Sequence, residues 1–233
     1  MPIDDALAQL GPSIKYPKIE PTSTSGSYIF LPENEYHGDL LISKERKYLG
    51  LNWHQAHEEL AKENSLMLTI RQFIDFLNLL KSENVYDENK NKIPAEQYNS
   101  ILEDILTQRD PYRAEWLDAD FKVINNNLHI NYNHKYINGK LTPQKSEPLE
   151  ACLMEDVYVD LSSANKQGLP TKKSKSQEIY FYYPRSNNNS VARFRAYSVG
   201  VDLNCYVDPR GSNPGLGVRP VNKILPDKIE NLN

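Results

Sequence analysis

The chain has 233 residues, 39% of them apolar, and a formal net charge of -4. That length and composition support a sizeable core in one large or two small domains, and the mildly acidic balance offers no electrostatic case for a nucleic-acid partner. No stretch approaches the length of a membrane span, Asp4 and Asp5 stand where a secretory leader would carry positive charge, and Cys152 and Cys205 make no disulfide framework, so no membrane partner and a reducing, cytoplasmic setting are expected.

After an N-terminal arm at 1–13, residues 14–21 and 28–31 read as short extended pieces, broken by Pro17, Pro21 and the Ser/Thr/Gly run around Gly26. Trp53, Ala56 and Leu60 fall at i, i+3 and i+7, one apolar stripe on a helix ending near Asn64. Thr69 and Gln72 have capping-box spacing in front of Ile70, Phe73, Ile74, Leu77 and Leu80, which predicts a second amphipathic helix. Pro94 followed by Tyr98, Ile101, Leu102 and Ile105 predicts a third, closing before Pro111. From Trp116 the periodicity becomes that of strands, with Leu128, Ile130 and Tyr132 alternating with His129, Asn131 and Asn133. Residues 116–123 are expected to pair with this strand, and 157–161, 180–183, 191–195, 201–205 and 218–221 are further short strands. The loop carrying Lys166, Lys172, Lys173 and Lys175 reads as solvated. Helices early and strands late predict an α+β architecture, with two or three helices packed on a mostly antiparallel sheet in a single domain over 14–221, and a tail at 222–233.

The usual chemical constellations are weak. His54 and His57 lie three apart beside Glu58, whereas a zincin helix needs its histidines at i and i+4 with Glu between them, so both read as surface histidines. His129 and His134, five apart on a strand, would point to opposite faces, and no metal site is expected. Gly211, Gly215 and Gly217 are not followed by a helix whose amides could cradle a phosphate. Cys205 has no histidine near it in sequence and reads as a small buried or half-buried thiol. Asp118 and Asp120 share one strand face and read as solvated edge carboxylates rather than an acid–base pair. No catalytic residue is expected.

Between Pro184 and Asn222 the chain contains no Lys, Glu, Gln, Met or Trp, although the remainder carries 18 Lys and 17 Glu. At the density of that remainder such a window would hold roughly seven Lys plus Glu. Charge itself is retained, because Arg185, Arg193, Arg195, Arg210 and Arg219 lie there among Tyr, Ser, Gly and Asn. Recognition surfaces favour this palette: Tyr gives contact area at little entropic cost, Arg forks onto acceptors, and Ser, Gly and Asn adapt. On composition alone, a long polar loop beside the core is an equal alternative.

Trp53-His-Gln-Ala through Leu60, followed by 66–77, looks like the two-helix opening of C-type lectin folds. The stretch Ser190-Val-Ala-Arg-Phe through Leu203-Asn-Cys205, ending Leu216-Gly-Val-Arg-Pro220, resembles the variable region of diversity-generating retroelement proteins of archaeal and phage type. These form part of the formylglycine-generating-enzyme-like branch of that fold. The resemblance covers residues 28–221 and is strongest over the last forty of them. In that family an error-prone reverse transcriptase copies a template and randomises its adenines, commonly in Asn codons. Randomising the first two bases of a codon that ends in a pyrimidine never yields Lys, Glu, Gln, Met or Trp, the five residues missing here. Surface chemistry alone does not explain the missing Trp, which binding surfaces favour.

The resemblance implies a non-enzymatic, monomeric ligand-binding protein whose variable region, 190–219, recognises a macromolecule, expected to be a protein. Phe194, Ala196, Ser198, Leu203, Cys205, Pro209, Leu216, Gly217, Val218 and Arg219 would be scaffold. Arg195, Tyr197, Val199, Gly200, Asp202, Asn204, Tyr206, Val207, Asp208, Arg210, Gly211, Asn213 and Gly215 would be the diversified, ligand-binding positions on one exposed face. Arg195, Tyr197, Tyr206 and Arg210 would be the anchors. The chain lacks the Glu-Pro-Asn, Gln-Pro-Asp and Trp-Asn-Asp calcium motifs of sugar-binding lectins, and their disulfide pair. No cofactor is therefore expected, with calcium left open. The alternatives are a phage receptor-binding protein on a virion, or a formylglycine-generating-enzyme-like oxidase, for which Cys205-Tyr206 echoes the active-site cysteine region.

Overall fold

The computed structural model describes residues 26–224. The N-terminal arm, the extended piece at 14–21 and the tail after 224 lie outside the described residues. Strands β1 (Tyr28–Leu31) and β2 (Leu40–Ser43) pair antiparallel, and helix α1 (Trp53–Lys62) follows. Next come β3 (Leu66–Met67), α2 (Ile70–Lys81), β4 (Tyr86–Asp87) and α3 (Ala95–Leu106). All three helices stand where the apolar spacing places them. Thr69 accepts from the Gln72 amide while the Gln72 side chain returns a bond to the cap backbone, and Asn52 with Gln55 does the same for α1. These boxes satisfy helix-end donors that would otherwise be left without partners.

The second half is strands: β5 (Arg113–Ile124), β6 (Asn127–Tyr132), β7 (Lys135–Ile137), β8 (Lys140–Thr142), β9 (Lys145–Pro148) and β10 (Val157–Val159). A 3-10 turn at Leu161–Ser163 precedes β11 (Ile179–Tyr182), β12 (Ser190–Tyr197), β13 (Gly200–Val207), β14 (Leu216–Gly217) and β15 (Pro220–Lys223). Asn125 and Asn126 join β5 to β6 with φ of 49° and 65°, and Asn138 and Gly139 join β7 to β8 with φ of 51° and 74°. Two successive left-handed residues match the right-handed twist of the flanking strands, which is why Asn and Gly occupy these two-residue turns.

The strands form a small sheet in the order β3-β15-β2-β1-β4 and a large one in the order β10-β11-β13-β12-β5-β6-β9, with β14 also on β5. Among the described residues, every strand pairing is antiparallel except β11 with β13 and β14 with β5. The architecture is α+β.

The main core lies between α2, α3 and the inward face of the large sheet, where Phe73 meets Phe194 at 4.9 Å between ring centroids and Phe181, Leu203 and Cys205 are fully buried. Burying each large side chain there contributes about 1.5–3 kcal/mol. A second cluster joins Trp53, Ala56 and Leu60 of α1 to Ala114, Trp116, Val191, Leu216 and Val218. The central strand β5 is thus covered on both faces. Trp53 Nε1 donates to the Leu117 carbonyl and Trp116 Nε1 to the Leu51 carbonyl, both at 3.0 Å, so the indoles are anchored as well as packed.

Charge is buried beside this core. Arg219 donates to Glu115 Oε1 at 2.8 Å and to the carbonyls of Ser43 and Lys44 at 2.9 and 2.5 Å, while Arg113 also pairs with Glu115. Burial works to raise the Glu115 carboxyl's pKa, but the Arg113, Arg219 and Arg46 guanidinium charges outweigh it and hold it at about 2. Arg219 therefore ties the start of the last strand to β5 and to the loop after β2.

Candidate functional site

Strand alternation sorts the C-terminal window into two faces. Phe194, Ala196, Leu203 and Cys205 point inward and are buried, as are Pro209, Leu216, Gly217, Val218 and Arg219 beyond the hairpin. Ser198, expected to be scaffold, is exposed beside Val199 in the β12–β13 turn, where no core lies within its reach.

The outward face is continuous across four strands, because Tyr158 pairs with Tyr180, Tyr180 with Asp202, Tyr182 with Asn204, Arg195 with Asp202 and Arg193 with Asn204. A ladder of edge-to-face rings runs from Tyr158 to Tyr180 (4.9 Å), Tyr180 to Tyr182 (4.9 Å) and Tyr182 to Tyr206 (5.6 Å). Arginines cover its rim. Arg195 lies 3.9 Å above the Tyr197 ring, and Arg185 lies 3.5 Å from the Tyr183 centroid and 4.9 Å from that of Tyr206. Tyr180, Tyr182, Arg193, Arg195 and Tyr197 are half-buried and Tyr206 is exposed. Such stacked rings and guanidinium groups lose little entropy on binding and carry both apolar area and donors.

Two diversified candidates on this face differ from their expected exposure. Asp202 and Asn204 are buried, each for a polar reason. Arg195 Nε and Nη2 clamp Asp202 Oδ2 at 2.9 and 2.5 Å, whereas Asn204 Oδ1 accepts the Tyr206 amide at 3.0 Å. Burial raises the Asp202 pKa, against the opposing Arg195 and Arg193 charges, and among the described residues Asp202 Oδ1 and Arg193 Nε are both buried without a hydrogen-bond partner. The floor of the face thus holds a buried acceptor and a buried donor, each at a cost in free energy.

The remaining candidates lie at the ends of the hairpin. Val199 is 73% exposed, and Gly200 has open space where a Cβ would stand. Asp208 and Arg210 are exposed and paired at 2.8 Å, Gly211 is exposed, Asn213 is half-buried, and half-buried Val207 packs against the second core cluster. Gly215 corrects the expectation that it varies. A Cβ there would collide with the Tyr112 carbonyl oxygen, and its own carbonyl accepts from Arg46 at 2.8 Å. The structure also adds Tyr158, Tyr180, Tyr182, Tyr183, Arg185 and Arg193, which the codon argument did not single out. The alternation Tyr180-Phe-Tyr182 was the available signal.

Two other readings of the sequence are corrected. His57 is buried on the inner side of α1 against Trp53, and Asp118 and Asp120 are buried because β5 is the doubly covered strand rather than a solvated edge. Burial lowers the His57 pKa to about 4. Burial opposes the charge on His134, but its hydrogen bond to Asp118 and the nearby Asp118 and Asp120 carboxylate charges outweigh it and push His134 to about 9. His134 stands beside His57, at 5.5 Å between ring centroids, so histidines far apart in sequence meet where the near neighbours do not. Cys205 is fully buried, and burial raises its thiol pKa well above the ordinary value, while half-buried Cys152 is pushed up to about 11. Neither environment favours a thiolate. No helix among the described residues is long and apolar enough to cross a membrane. Comparison of the chain with family models, with curated proteins and with solved structures gave no match.

Proposed function

We propose that this chain is a non-enzymatic ligand-binding protein with a C-type lectin fold, whose C-terminal hairpin presents a face diversified by a retroelement to recognise a macromolecule, in the first instance a protein. One observation carries the reading: the window without Lys, Glu, Gln, Met or Trp coincides with the strand pair whose inward side chains are core and whose outward side chains form a Tyr–Arg surface. Diversification needs positions that tolerate change on a backbone that does not. Outward alternation on β12 and β13 supplies the first, and the Arg219–Glu115 tie with the Phe194–Phe73 contact supports the second. An open sheet face lined by Tyr and Arg suits a protein ligand better than a small molecule, which favours an enclosing pocket. A receptor-binding role on a phage particle is a variant of the same reading. The oxidase alternative loses support from the burial of Cys205.

The nucleotide sequence encoding 190–219 and its flanks tests the proposal. The expected result is a nearby near-repeat that differs at template adenines, pyrimidine-ending codons at the outward positions, and a reverse transcriptase gene. Without the repeat and the transcriptase, the diversification claim fails.

A further inference from the structure

Outside the Tyr–Arg face, three elements bring together a donor set that the recognition reading does not use. His57 from α1, Asp118 from the middle of β5 and His134 from the turn after β6 each offer one ligand atom, all within 4.8 Å of one another. His57 Nε2 lies 3.6 Å from Asp118 Oδ1, and His134 Nδ1 lies 2.5 Å from the same oxygen. Donors around a tetrahedral zinc ion, each about 2.0–2.1 Å from it, stand roughly 3.3 Å apart. The first separation already fits, and the second opens when an ion replaces the hydrogen-bond proton.

The surroundings are those of a built site. All three residues are at most 5% exposed, and His57 Nε2 is buried 3.6 Å from the Asp118 carboxylate with no hydrogen-bond partner among the described residues. An uncompensated ring nitrogen at that depth costs free energy unless something occupies it. Asp118 Oδ2 accepts the His134 amide at 2.9 Å, fixing the carboxylate with Oδ1 toward the histidines. Asp120 Oδ1 stands 3.4 Å from His134 Nε2 and accepts no hydrogen bond among the described residues. That is the placement of an outer carboxylate that orients a ligating imidazole. Trp53 packs edge-on against both rings, at 4.4 Å from His57 and 5.0 Å from His134, which restricts their rotation. A cavity of about 570 Å³, lined by His57, His134, Tyr136 and Leu141 among others, reaches the pair from outside.

We propose that His57, Asp118 and His134 bind a divalent transition-metal ion of the zinc class, with the cavity giving access to its remaining coordination position. Two imidazoles and one carboxylate suit such an ion, whereas calcium and magnesium take sets of oxygens. The ion would pin α1 to β5 and to the turn before β7, linking the early helical part of the chain to the large sheet.

The test uses the full chain, stripped with chelator and titrated separately with zinc and cobalt(II). The expected result is one equivalent per chain, a cobalt visible spectrum of low coordination number, and hyperfine-shifted imidazole ring protons in the proton spectrum of the cobalt form. His57→Gln should weaken zinc at least about 100-fold, and Asp120→Asn, outside the ligand set, about 10–100-fold. Failure of the wild-type chain to bind either metal overturns the proposal. So does full binding by a His57→Gln chain that circular dichroism shows to be folded. If that variant does not fold, the wild-type cobalt form decides alone, and a spectrum without shifted imidazole protons overturns the proposal.

Discussion

Phe194 and Arg195 are neighbours in sequence and opposites in surroundings. Phe194 packs against Phe73 beneath the sheet, while Arg195 lies across Tyr197 and clamps Asp202 on the other side. The same division runs along β13, where Leu203 and Cys205 are core and Tyr206 reaches solvent. Alternation in a strand lets one segment serve two masters: every second residue answers to packing, and its neighbours answer to whatever approaches from outside. Asp202 and Asn204 blur that division, because the outward face has a buried floor of its own. Even on an outward face, polar partners limit what can stand at such positions.

Several substitutions would break or sharpen this contrast. The largest effect is expected inward: Phe194→Ala should cost about 3–5 kcal/mol in urea unfolding, through lost apolar burial and the cavity left against Phe73. Chain folding after such a change without loss would undo the assignment of faces. Acid gives the next. Glu115 has its folded pKa depressed from 4.5 to about 2, so its contribution is fully present above about pH 4.5 and is lost as pH falls through about 2. The loss should approach about 3 kcal/mol, and Glu115→Gln should remove that pH dependence from guanidinium unfolding curves while lowering stability at neutral pH.

Two glycines within the same window should then separate. Gly215→Ala forces the backbone off the Tyr112 carbonyl and should cost about 1–3 kcal/mol, whereas Gly200→Ala meets open space and should stay within about 0.5 kcal/mol. Equal effects in thermal unfolding would remove the distinction between a fixed and a free position. Tyr206→Ala should lower stability by about 0.5–1.5 kcal/mol, the value of an edge-to-face pair with Tyr182. The smallest effect belongs to Val199→Lys at the exposed turn, expected within about 0.5 kcal/mol, even though Lys is foreign to the whole window.

The helices were legible because their apolar residues recur at helical spacing and their starts carry capping boxes, both local properties. Strand β12 and its partner were legible for the same reason, in period two. The buried histidine cluster was not. His57 and His134 are brought together by the path of β5 between two covered faces, and a strand buried on both sides shows Asp118 and Asp120 in the alternation of a solvated edge. β2, with Leu-Leu-Ile-Ser, has no alternation to read, and β7 to β9 are rich in Lys because their outer faces are wet. Burial of Asp202 was hidden because it depends on Arg195 across the hairpin.

The parallel pairing of β11 with β13 sets Tyr180 and Tyr182 directly beside Asp202 and Asn204, although both tyrosines precede the window that begins at Pro184. Under the proposed function, every version of the protein would inherit that pair of rings unchanged. Newly drawn sequences would not start from a blank surface: each would begin with a shared, weakly adhesive ground, and selection would have only to add preference to it. Relatives differing throughout the hairpin should accordingly share a faint common cross-reactivity, traceable to residues that never vary.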